Sequence, residues 1–572
     1  MGNNRGRVPI VWKGYDTETF KGYVKILCAS DGQCIEPNVE EYTVQLLNWL
    51  WSKGDGFFFN IEYDLAAILK PWILKNRKNV DKDKYDYVIG DFQVRHYPNK
   101  AFSIKNLKFR RERARWFFDV ANFFTINFTY RSLDEVAKEF LHETKNAEEL
   151  GIDRAKIGEE KGYYEKHRET IRKYCINDAV LTEKLARELS NILSNLGFPQ
   201  PNRWFSKASI SKSFLKTIWT NKREPRFIRS IAKQSYRGGI FQTYFLGHFG
   251  HVYDMDINSA YPYAMSLLRE PEKRYFLLDS ELDLEDTVKR LTGLTVSEML
   301  ASLLSNNSNA VSKLLALLTN FYGFVKIELK DFSKYGYRKK KGSSIFYGKV
   351  KEAQEQWVTF YDYLVQRLFG IEYKFKGAVI IPVKKSFAFP FVQKLFDMKD
   401  KIKKEYGKSS MQYWLIKVII NALYGALAQH KPHETQFTNY LYASNITAIT
   451  RFIVRSMEFM IEGVGGKVIA ISTDGLVATK IPHVKASDEL GKWTIEEWEE
   501  YVHYMNGIYF YKKDGKWKAK ARGLGSVDPT ILQNLNDVIY HAVLRKPTKI
   551  RTALRQENRN PAEFELEIRT LD

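Results

Sequence analysis

The sequence is poor in cysteine, has no long hydrophobic run and contains fewer acidic than basic residues. Its three cysteines, Cys28, Cys34 and Cys175, are too few for a disulfide framework and form no Cys/His cluster that could hold zinc. No stretch approaches the ~18 unbroken apolar residues of a membrane span, and the amino-terminal segment has no apolar core typical of a signal peptide. We therefore expect a soluble protein of a reducing compartment, not a secreted one.

A large excess of positive charge is what the sequence does have. Its 572 residues include 89 Lys+Arg against 67 Asp+Glu, a formal net charge of +22 at pH 7. This excess favours binding to nucleic acid, because basic side chains replace the counterions on phosphates, although scattered solvated Lys and Arg would give the same total. The length predicts about three to five domains. Hydrophobic residues are 44% of the chain, which excludes a disordered protein.

Apolar periodicity divides the chain into an α/β region, a helical region and a second α/β region. Residues 8–54 alternate predicted strands with a helix, and residues 132–196 have helical spacing that begins with a Ser-x-x-Glu capping box. A boundary follows near residues 197–204. Beyond it come further strands, a helical insertion at 284–318 and two long helices within 389–429.

Two acidic residues, Asp16 and Glu18, lie two positions apart in a predicted strand. Residues i and i+2 of a strand share a face, so both carboxylates point the same way. Such pairs are common, and two solvated acids at a strand edge are the ordinary alternative. Asp64, after an apolar strand, and Asp178, in the helical region, would complete a set of four.

Four clustered carboxylates repel one another unless a divalent cation lies between them, and oxygen ligands suit Mg²⁺ or Mn²⁺. Two such ions about 4 Å apart activate a water and stabilise the leaving oxygen of a phosphodiester. Tyr174, one helical turn before Asp178, can orient the attacking water. The pattern therefore indicates hydrolysis of nucleic acid.

The segments DTET, NIEYD and YCIND occur in this order and resemble the three motifs of the proofreading 3′–5′ exonuclease domain of family B DNA polymerases. The resemblance implies that Thr19, Asn60 and Tyr63 hold the frayed 3′ end of single-stranded DNA. It also implies that Lys145 helps at the scissile phosphate. Cys175 stands where the protein-primed members usually have Ser.

A second acidic pair lies far apart in sequence. Asp256 is predicted at the end of a strand, since Pro262 soon after prevents the strand from continuing. Asp474 lies in the turn of a predicted hairpin, before Gly475. Asp474 can therefore face Asp256 from a neighbouring strand, although a Thr-Asp-Gly turn on its own is usually structural.

Lys417, Asn421 and Tyr424 are spaced i, i+4 and i+7, which puts them on one stripe of a predicted helix, and Lys403 lies on the preceding helix. A face with Lys beside Tyr can bind a triphosphate and pack against a base or sugar. A core-facing Tyr with a Lys that extends to solvent is the alternative.

These segments resemble motifs A (DINSAYP), B (KVIINALYG) and C (STDG) of family B DNA polymerases, and Tyr236–Gly239 matches the Tyr-x-Gly-Gly junction of the protein-primed branch. The resemblance covers about residues 8–525. It implies a multidomain α/β and α+β protein, in which an RNase H-like 3′–5′ exonuclease domain precedes a right-hand polymerase of palm, fingers and thumb. The implied parts are an exonuclease domain at 1–196, a linker at 197–235, a palm at 236–390 and 426–525, fingers at 391–425, a thumb at 526–572 and, within the palm, the insertion 284–318 and a candidate terminal-protein-binding region at 330–377.

The resemblance also assigns roles to residues of the polymerase half. Asp256 and Asp474 would hold two Mg²⁺ or Mn²⁺ ions, as the four acids of the exonuclease motifs would at the other site. The implied nucleotide-binding residues are Ser259, Tyr261, Lys403, Lys417, Asn421 and Tyr424. The implied DNA-binding residues of this half are Tyr236, Arg237, Gly238, Gly239, Tyr509, Lys520 and Arg522.

The chain departs from the family pattern in three places. Ser472 and Gly475 replace the first Asp and the final Ser of motif C, and Gly507 replaces the Lys of a Lys-x-Tyr primer-binding motif. Too few residues follow Gly425 for the second inserted segment of protein-primed phage enzymes, which is associated with strand displacement. We therefore expect lower processivity or reliance on a partner.

The sequence favours a DNA-directed DNA polymerase with proofreading, which replicates a viral or linear plasmid genome in the host cytoplasm. Its expected partners are DNA primer–template, dNTPs, a terminal protein primer and a processivity or single-strand-binding protein. Two alternatives stay open. One is an exonuclease whose polymerase activity is weakened or lost through Ser472, and the other is a noncatalytic DNA-binding replisome scaffold.

Overall fold

A computed structural model describes residues 12–81, 85–109, 111–124, 131–304, 308–338, 345–429, 434–521 and 541–570. No helix within these ranges is long and apolar enough to cross a membrane.

The first region of the chain contains two sheets flanked by helices. Its strands are β1 (Tyr15–Phe20), β2 (Tyr23–Ala29), β3 (Cys34–Ile35), β4 (Gly56–Phe58), β5 (Asp86–Ile89), β6 (Phe92–Tyr97), β7 (Ala101–Asn106) and β8 (Arg115–Asp119). Its helices are α1 (Thr43–Lys53), α2 (Ile61–Asn76), α3 (Ala121–Phe124), α4 (Leu133–Phe140), α5 (Arg154–Glu159), α6 (Tyr163–Lys166) and α7 (Arg168–Asn195). The sheet orders are β1-β2-β3, all antiparallel, and β4-β8-β7-β6-β5, in which β4 runs parallel to β8. A parallel bridge between Gly14 and Phe57 connects the two sheets.

Helices α4 and α7 form where the sequence predicted them. Ser132 caps α4 through the predicted capping box, in which its hydroxyl accepts the N–H of Glu135 and the Glu135 carboxylate accepts the N–H of Ser132. One face of α7 is apolar and buried, and this helix packs across β1 and β2. The contact between α7 and β1 brings two of the motif segments together.

Cys28 and Cys34 form a disulfide, which the sequence analysis did not predict. The turn after β2 folds β3 back in antiparallel register, so that Cys28 and Cys34 are direct cross-strand partners. A count of cysteines carries no signal for this turn. Cys175 is a free thiol and is buried.

The segment expected as a linker, 197–235, contains the helices α8 (Lys207–Ile218) and α9 (Arg226–Ser235). These helices are packed: the Ser211 hydroxyl donates to the carbonyl oxygen of Ile419 at 3.0 Å, and Trp204 is fully buried. Trp204 contacts Trp12 and Phe57 of the first region, whereas Ser211 contacts Ile419, so this segment packs on both the earlier and the later parts of the chain.

The second α/β region contains three main sheets. Its strands are β9 (Ile240–Thr243), β10 (Gly247–Phe249), β11 (Val252–Ile257), β12 (Arg269–Pro271), β13 (Phe276–Leu278), β14 (Phe321–Asp331), β15 (Tyr337–Arg338), β16 (Ile345–Phe346), β17 (Lys349–Thr359), β18 (Tyr373–Phe387), β19 (Val468–Thr473), β20 (Gly475–Ala478), β21 (Trp493–Trp498), β22 (Glu500–Met505), β23 (Ile508–Lys513) and β24 (Lys516–Ala521). The sheet orders are β21-β11-β20-β19-β9, β12-β18-β14-β17 with β13 beside β18, and β10-β22-β23-β24.

Helices connect and cover these sheets. They are α10 (Ala260–Leu267), α11 (Glu281–Thr292), α12 (Val296–Leu304), α13 (Ser308–Leu318), α14 (Phe360–Leu368), α15 (Phe391–Tyr406), α16 (Met411–Leu427) and α17 (Tyr440–Gly463). The predicted helical insertion corresponds to α11–α13, and α15 and α16 are the two predicted long helices, which pack against each other. Helix α17 is buried along nearly its whole length.

Residues 541–570 return to the first region. They form the antiparallel pair β25 (His541–Pro547) and β26 (Phe564–Thr570), with α18 (Ile550–Arg555) between them. Ile550, Ala553 and Leu554 belong to the same hydrophobic cluster as residues of α1 and α2. The Lys70 ammonium, which is buried, pairs with Glu563 at 2.8 Å. The carboxyl-terminal part of the predicted thumb therefore packs on the predicted exonuclease domain.

Candidate active sites

The four acids predicted from the exonuclease motifs lie together where α7 and α2 meet β1. Asp16 and Glu18 alternate with Thr17 on β1, and the Thr17 hydroxyl donates to Asp64 on α2 at 2.7 Å. Asp178 on α7 forms an ion pair with Lys145. The strand periodicity that predicted a shared face for Asp16 and Glu18 is confirmed.

Burial and mutual repulsion raise the pKa values of these acids. Burial is the largest cause for each, and it raises the pKa of Glu18 to about 8 and that of Asp64 to about 7. Burial and the nearby Asp178 hold the pKa of Asp16 well above its usual range. Lys145 opposes these shifts for Asp16, Glu18 and Asp64. The cluster is therefore a site where ionised carboxylates need a cation.

The donor set fits a hard divalent cation. Asp16 Oδ2 and Asp178 Oδ1 are buried and have no hydrogen-bond partner. One ligand atom each from Asp16, Glu18 and Cys175 lies within 4.8 Å of the others, although the Cys175 thiol donates to the carbonyl oxygen of Asp16 at 3.3 Å. Carboxylate oxygens left without a donor suit Mg²⁺ or Mn²⁺, since these ions prefer oxygen ligands.

The residues expected to hold a 3′ end surround this cluster. Asn60 has a left-handed backbone (φ 67°) at the start of α2, and its N–H donates to Asp119 at 2.9 Å. The hydroxyls of Thr19 and Tyr63 hydrogen-bond each other. The Tyr174 ring lies 5.1 Å from the Lys145 ammonium, so Tyr174 is beside the acids as predicted.

A cavity of about 210 Å³ opens beside Asp16, and several of its lining residues were not predicted. The unpredicted lining residues are Phe59, Ala121, Arg131, Ser132 and Leu133. Asp119, which orients Asn60, was also missed; burial raises its pKa to about 7. Its position as the last residue of strand β8 was the available signal, because acids at strand ends recur in such sites.

In the second half of the chain, strand register brings Asp256 and Asp474 together. Asp256 on β11 pairs with Gly475 on β20, and Asp474 occupies the turn between β19 and β20. The Ile257 N–H donates to the carbonyl oxygen of Asp474 at 3.0 Å. The predicted facing of these two acids across neighbouring strands is confirmed.

The environment of this pair resembles that of the first cluster. Burial, followed by repulsion from Asp474, raises the pKa of Asp256 to about 7, although this side chain is open to the cleft. Burial raises the pKa of Asp474 to about 6. Steric crowding explains why residue 475 is a glycine. A Cβ at this position would lie 2.8 Å from the Met255 carbonyl oxygen and 2.9 Å from Asp256 Oδ1. Close approach of β20 to β11 therefore requires glycine at this position.

A cavity of about 440 Å³ extends from Asp256 to helices α15 and α16. Its lining includes the predicted residues Ser259, Tyr261, Lys403, Lys417 and Asn421. Lys403 pairs with Asp488 at 2.9 Å. Lys399, one turn before Lys403, was missed; its ammonium donates to Ser259 at 3.3 Å, and burial lowers its pKa to about 8. Its spacing from Lys403 was the available signal.

Tyr424 lies behind this cavity, where its ring stacks on that of Tyr261 with 4.5 Å between centroids. Its hydroxyl hydrogen-bonds that of Tyr236. Gly239 approaches Tyr261 so closely that a Cβ would lie 2.9 Å from the Tyr261 hydroxyl. The Tyr-x-Gly-Gly segment therefore contacts the residues expected to bind the nucleotide.

Arg237 does not occupy a position from which it can contact DNA. Its side chain is 3% exposed and donates to Gln356 at 2.6 Å and to the carbonyl oxygen of Gly336. The predicted DNA-binding role of Arg237 is thus corrected to a structural one. The carbonyl of Gly238 accepts from Arg451 of α17 at 2.6 Å, which fixes the same segment from the other side.

A larger cleft of about 850 Å³ lies on the other side of Asp256 and Asp474. Tyr509 on β23 lines it and pairs with Lys520 on β24, whose ammonium lies 5.5 Å from the Tyr509 ring. Lys520 thus supplies a cation beside Tyr509, although Gly507 has none. Arg522, the other predicted primer-strand residue, lies outside the described residues.

Asp254 is a further cleft residue that the sequence analysis missed. It lies two positions before Asp256 on β11 and therefore shares its face. Burial raises the pKa of Asp254 to about 7, while Lys520 opposes the shift. The i, i+2 spacing that identified Asp16 and Glu18 also holds here.

Comparisons with known proteins agree on one family. The family described as "DNA polymerase type B, organellar and viral" matches residues 54–448. The DNA polymerase of Acidianus bottle-shaped virus (isolate Italy/Pozzuoli) is 24% identical over 567 residues, which cover 88% of this chain and 79% of that protein.

The fold is similar to that of Phi29 DNA polymerase. The orthorhombic crystal form of that enzyme has a TM-score of 0.64 and 14% identity over 98% of this chain and 100% of its own. Its complex with primer-template DNA and incoming nucleotide has a TM-score of 0.64 and 15% identity, over 98% of this chain and 99% of its own. The predicted fold class, an exonuclease domain followed by a right-hand polymerase, is confirmed.

Proposed function

We propose how this chain, which belongs to the organellar and viral type B DNA polymerases and is a DNA-directed DNA polymerase, divides its work between two sites. It extends a primer at Asp256 and Asp474. It proofreads at a second site formed by Asp16, Glu18, Asp64 and Asp178. The observation that carries the proposal is the strand register that places Asp474 beside Asp256 at the base of two clefts. The smaller cleft is lined by Lys399, Lys403 and Lys417, and the larger one contains Tyr509 and Lys520.

Asp256 and Asp474 would hold Mg²⁺ or Mn²⁺ through carboxylate oxygens. When bound, such ions lower the pKa of the primer 3′-hydroxyl and neutralise the pyrophosphate leaving group. The elevated pKa values of these two carboxylates support this proposal, because groups poised near neutral pH recur at functional sites.

The nucleotide would occupy the smaller cleft. Lys399, Lys403 and Lys417 line it on one side and would bind the triphosphate. Tyr261 would lie under the sugar, where its ring is held by the stack on Tyr424 and its hydroxyl meets Gly239. A Tyr261 ring held in this position would exclude a nucleotide that carries a 2′-hydroxyl.

The proofreading site would degrade single-stranded 3′ ends. Asp16, Glu18, Asp64 and Asp178 would bind the metal ions, while Tyr174 and Lys145 would orient water and the scissile phosphate. Thr19, Asn60 and Tyr63 would hold the terminal nucleotides. The unpaired buried oxygens of Asp16 and Asp178 support metal binding at this site.

Initiation on a terminal protein is a further part of the proposal. Support comes from the Tyr-x-Gly-Gly segment and from the similarity to Phi29 DNA polymerase along nearly the whole chain. The region 330–377 would contact the terminal protein, and a processivity or single-strand-binding partner would assist elongation. A viral or linear plasmid replicon in the host cytoplasm fits the viral relative. A labelled nucleotide offered to candidate priming proteins tests this part.

The central experiment separates the two activities by mutation. Asp474→Asn should reduce primer extension about a hundredfold or more and spare degradation, since a metal ligand contributes several kcal/mol to the transition state. Asp16→Ala combined with Glu18→Ala should do the reverse. If the unmodified protein only degrades DNA with either Mg²⁺ or Mn²⁺, it is an exonuclease that has lost synthesis. If it does neither, the scaffold reading holds.

A further inference from the structure

Arg131 lies at the border between the two candidate sites. Its side chain lines the cavity beside Asp16 and also the large cleft that contains Asp256 and Asp474. The residue precedes α4 in the first region of the chain, yet it faces strands of the second region across that cleft. A DNA strand that moves from one site to the other must pass this border.

Arg131 lies directly before the N-cap of helix α4. Ser132, the next residue, caps α4 through a reciprocal hydrogen-bond pair. The Arg131 guanidinium lies 5.8 Å from the ring of Phe140. Phe140 in turn contacts Trp414 of α16, with 6.3 Å between ring centroids, and Phe124 stacks on Trp414 at 5.5 Å. This aromatic contact joins the exonuclease region to the polymerase region directly behind Arg131.

The guanidinium of Arg131 can exchange its present carboxylate partner for a phosphate. The guanidinium pairs with Glu139 in the last turn of α4, and the two side chains are 18% and 39% exposed. Ion pairs at such exposure contribute little to stability, at most ~1 kcal/mol, so a phosphate can replace Glu139 at small cost. The released positive charge would then pair with a phosphate oxygen through a charge-assisted hydrogen bond.

We propose that Arg131 is a positioning residue for proofreading, which binds a backbone phosphate of the primer strand while its 3′ end moves from the polymerase cleft to the exonuclease cavity. This inference rests on the proposed function, because it requires both activities in one chain. A cation at the border lowers the free energy of the strand in transit, where neither site holds the terminal nucleotide.

The test compares a reaction that needs transfer with two that do not. A primer with a mismatched 3′ end, annealed to template, must leave the polymerase cleft before it is degraded, whereas a single-stranded oligonucleotide reaches the exonuclease site directly. Addition of a correct nucleotide to a matched primer needs no transfer. We expect Arg131→Ala to lower degradation of the mismatched duplex primer about fivefold relative to the single strand, as for loss of one phosphate contact.

Matched variants make the result specific. Arg131→Lys keeps the charge and should retain most of the transfer-dependent reaction. Lys138→Ala removes a cation from the same helix, paired at the surface with Asp134, and should leave all three reactions unchanged. Thermal unfolding checks that each variant is folded.

Three results would overturn the role of Arg131 alone. These are an equal loss in all three reactions, no loss in any, and a loss in Arg131→Lys as large as in Arg131→Ala. If the unmodified protein lacks synthesis or degradation, the proposed function fails first, before any variant is compared, and the transfer role fails with it.

Discussion

The ring of Phe564 stacks on the ring of Tyr63, with 5.8 Å between their centroids. Tyr63 belongs to α2 and hydrogen-bonds Thr19, whereas Phe564 begins β26 near the other end of the described chain. The contact places a residue of the 541–570 segment against a residue proposed to hold the 3′ end. Activity at the exonuclease site should therefore depend on a distant part of the sequence.

Phe564→Ala should weaken binding of single-stranded DNA at the exonuclease site. Loss of an aromatic pair costs about 0.5–1.5 kcal/mol, so we expect the KM for degradation of a single strand to rise about two- to tenfold, with nucleotide addition little changed. Phe109→Ala is the matched control, because Phe109 is similarly exposed and stacks on Trp51 at 5.4 Å instead. Equal effects of the two substitutions would contradict the prediction.

The stabilising effect of divalent cations should grow with pH. Burial raises the pKa of Glu18 from 4.5 to about 8 and that of Asp64 from 3.8 to about 7. Without metal, the folded protein therefore keeps protons that the unfolded chain has released, and its free energy of unfolding falls as pH rises between the unfolded and folded pKa values.

A cation that binds the ionised carboxylates opposes this loss. We expect the rise in Tm produced by Mn²⁺ to be larger at about pH 8.5 than at about pH 6. Asp16→Ala with Glu18→Ala should reduce the difference, because it removes two of the carboxylates with raised pKa values. Asp256 and Asp474, whose pKa values are raised to about 7 and about 6, would keep a smaller part of it. An equal rise at both pH values would count against metal binding by this cluster.

Lys520→Ala should weaken binding of primer–template through lost charge. Lys520 lines the large cleft beside Tyr509, so its removal should raise the Kd and reduce the slope of log affinity against log salt by about one. Lys512→Ala is the control, since Lys512 pairs with Glu500 at 2.9 Å. An unchanged salt slope in Lys520→Ala would place this residue away from the phosphates.

Asp362→Asn should destabilise the protein strongly. Asp362 accepts two hydrogen bonds from Arg451, at 2.9 and 2.7 Å, and both side chains are buried. The substitution leaves a buried guanidinium without its counter-charge, which costs about 3–5 kcal/mol in free energy of unfolding. Glu270→Gln, which breaks an exposed pair with Lys222, should cost about 1 kcal/mol or less. Denaturant unfolding measures both.

Much of each site could be predicted from sequence because its signals are local. The i, i+2 spacing of Asp16 and Glu18, the turn before Gly475 and the capping box at Ser132 each depend on a few neighbouring residues. Their order along the chain then identified the family. The domain boundaries stay predictions, since element bounds alone do not define a domain.

The remainder depends on contacts between distant segments, which leave no periodic pattern. Nothing local to Arg131 shows that it borders a cleft formed with another region, and nothing local to Phe564 shows that it contacts Tyr63. Likewise, burial of Arg237 follows from Gln356 and Gly336, far along the chain. Composition also could not predict that a short turn makes Cys28 and Cys34 direct cross-strand partners.

The packing of α18 on α2 has a consequence for synthesis of the protein on the ribosome. Ile550, Ala553, Leu554 and Ala562 complete a hydrophobic cluster whose other buried residues come from the first part of the chain. During synthesis, an apolar surface of α2 therefore stays uncovered until several hundred further residues have been translated. At ~5–20 residues per second, this takes on the order of a minute. The first domain to leave the exit tunnel is thus among the last to be finished.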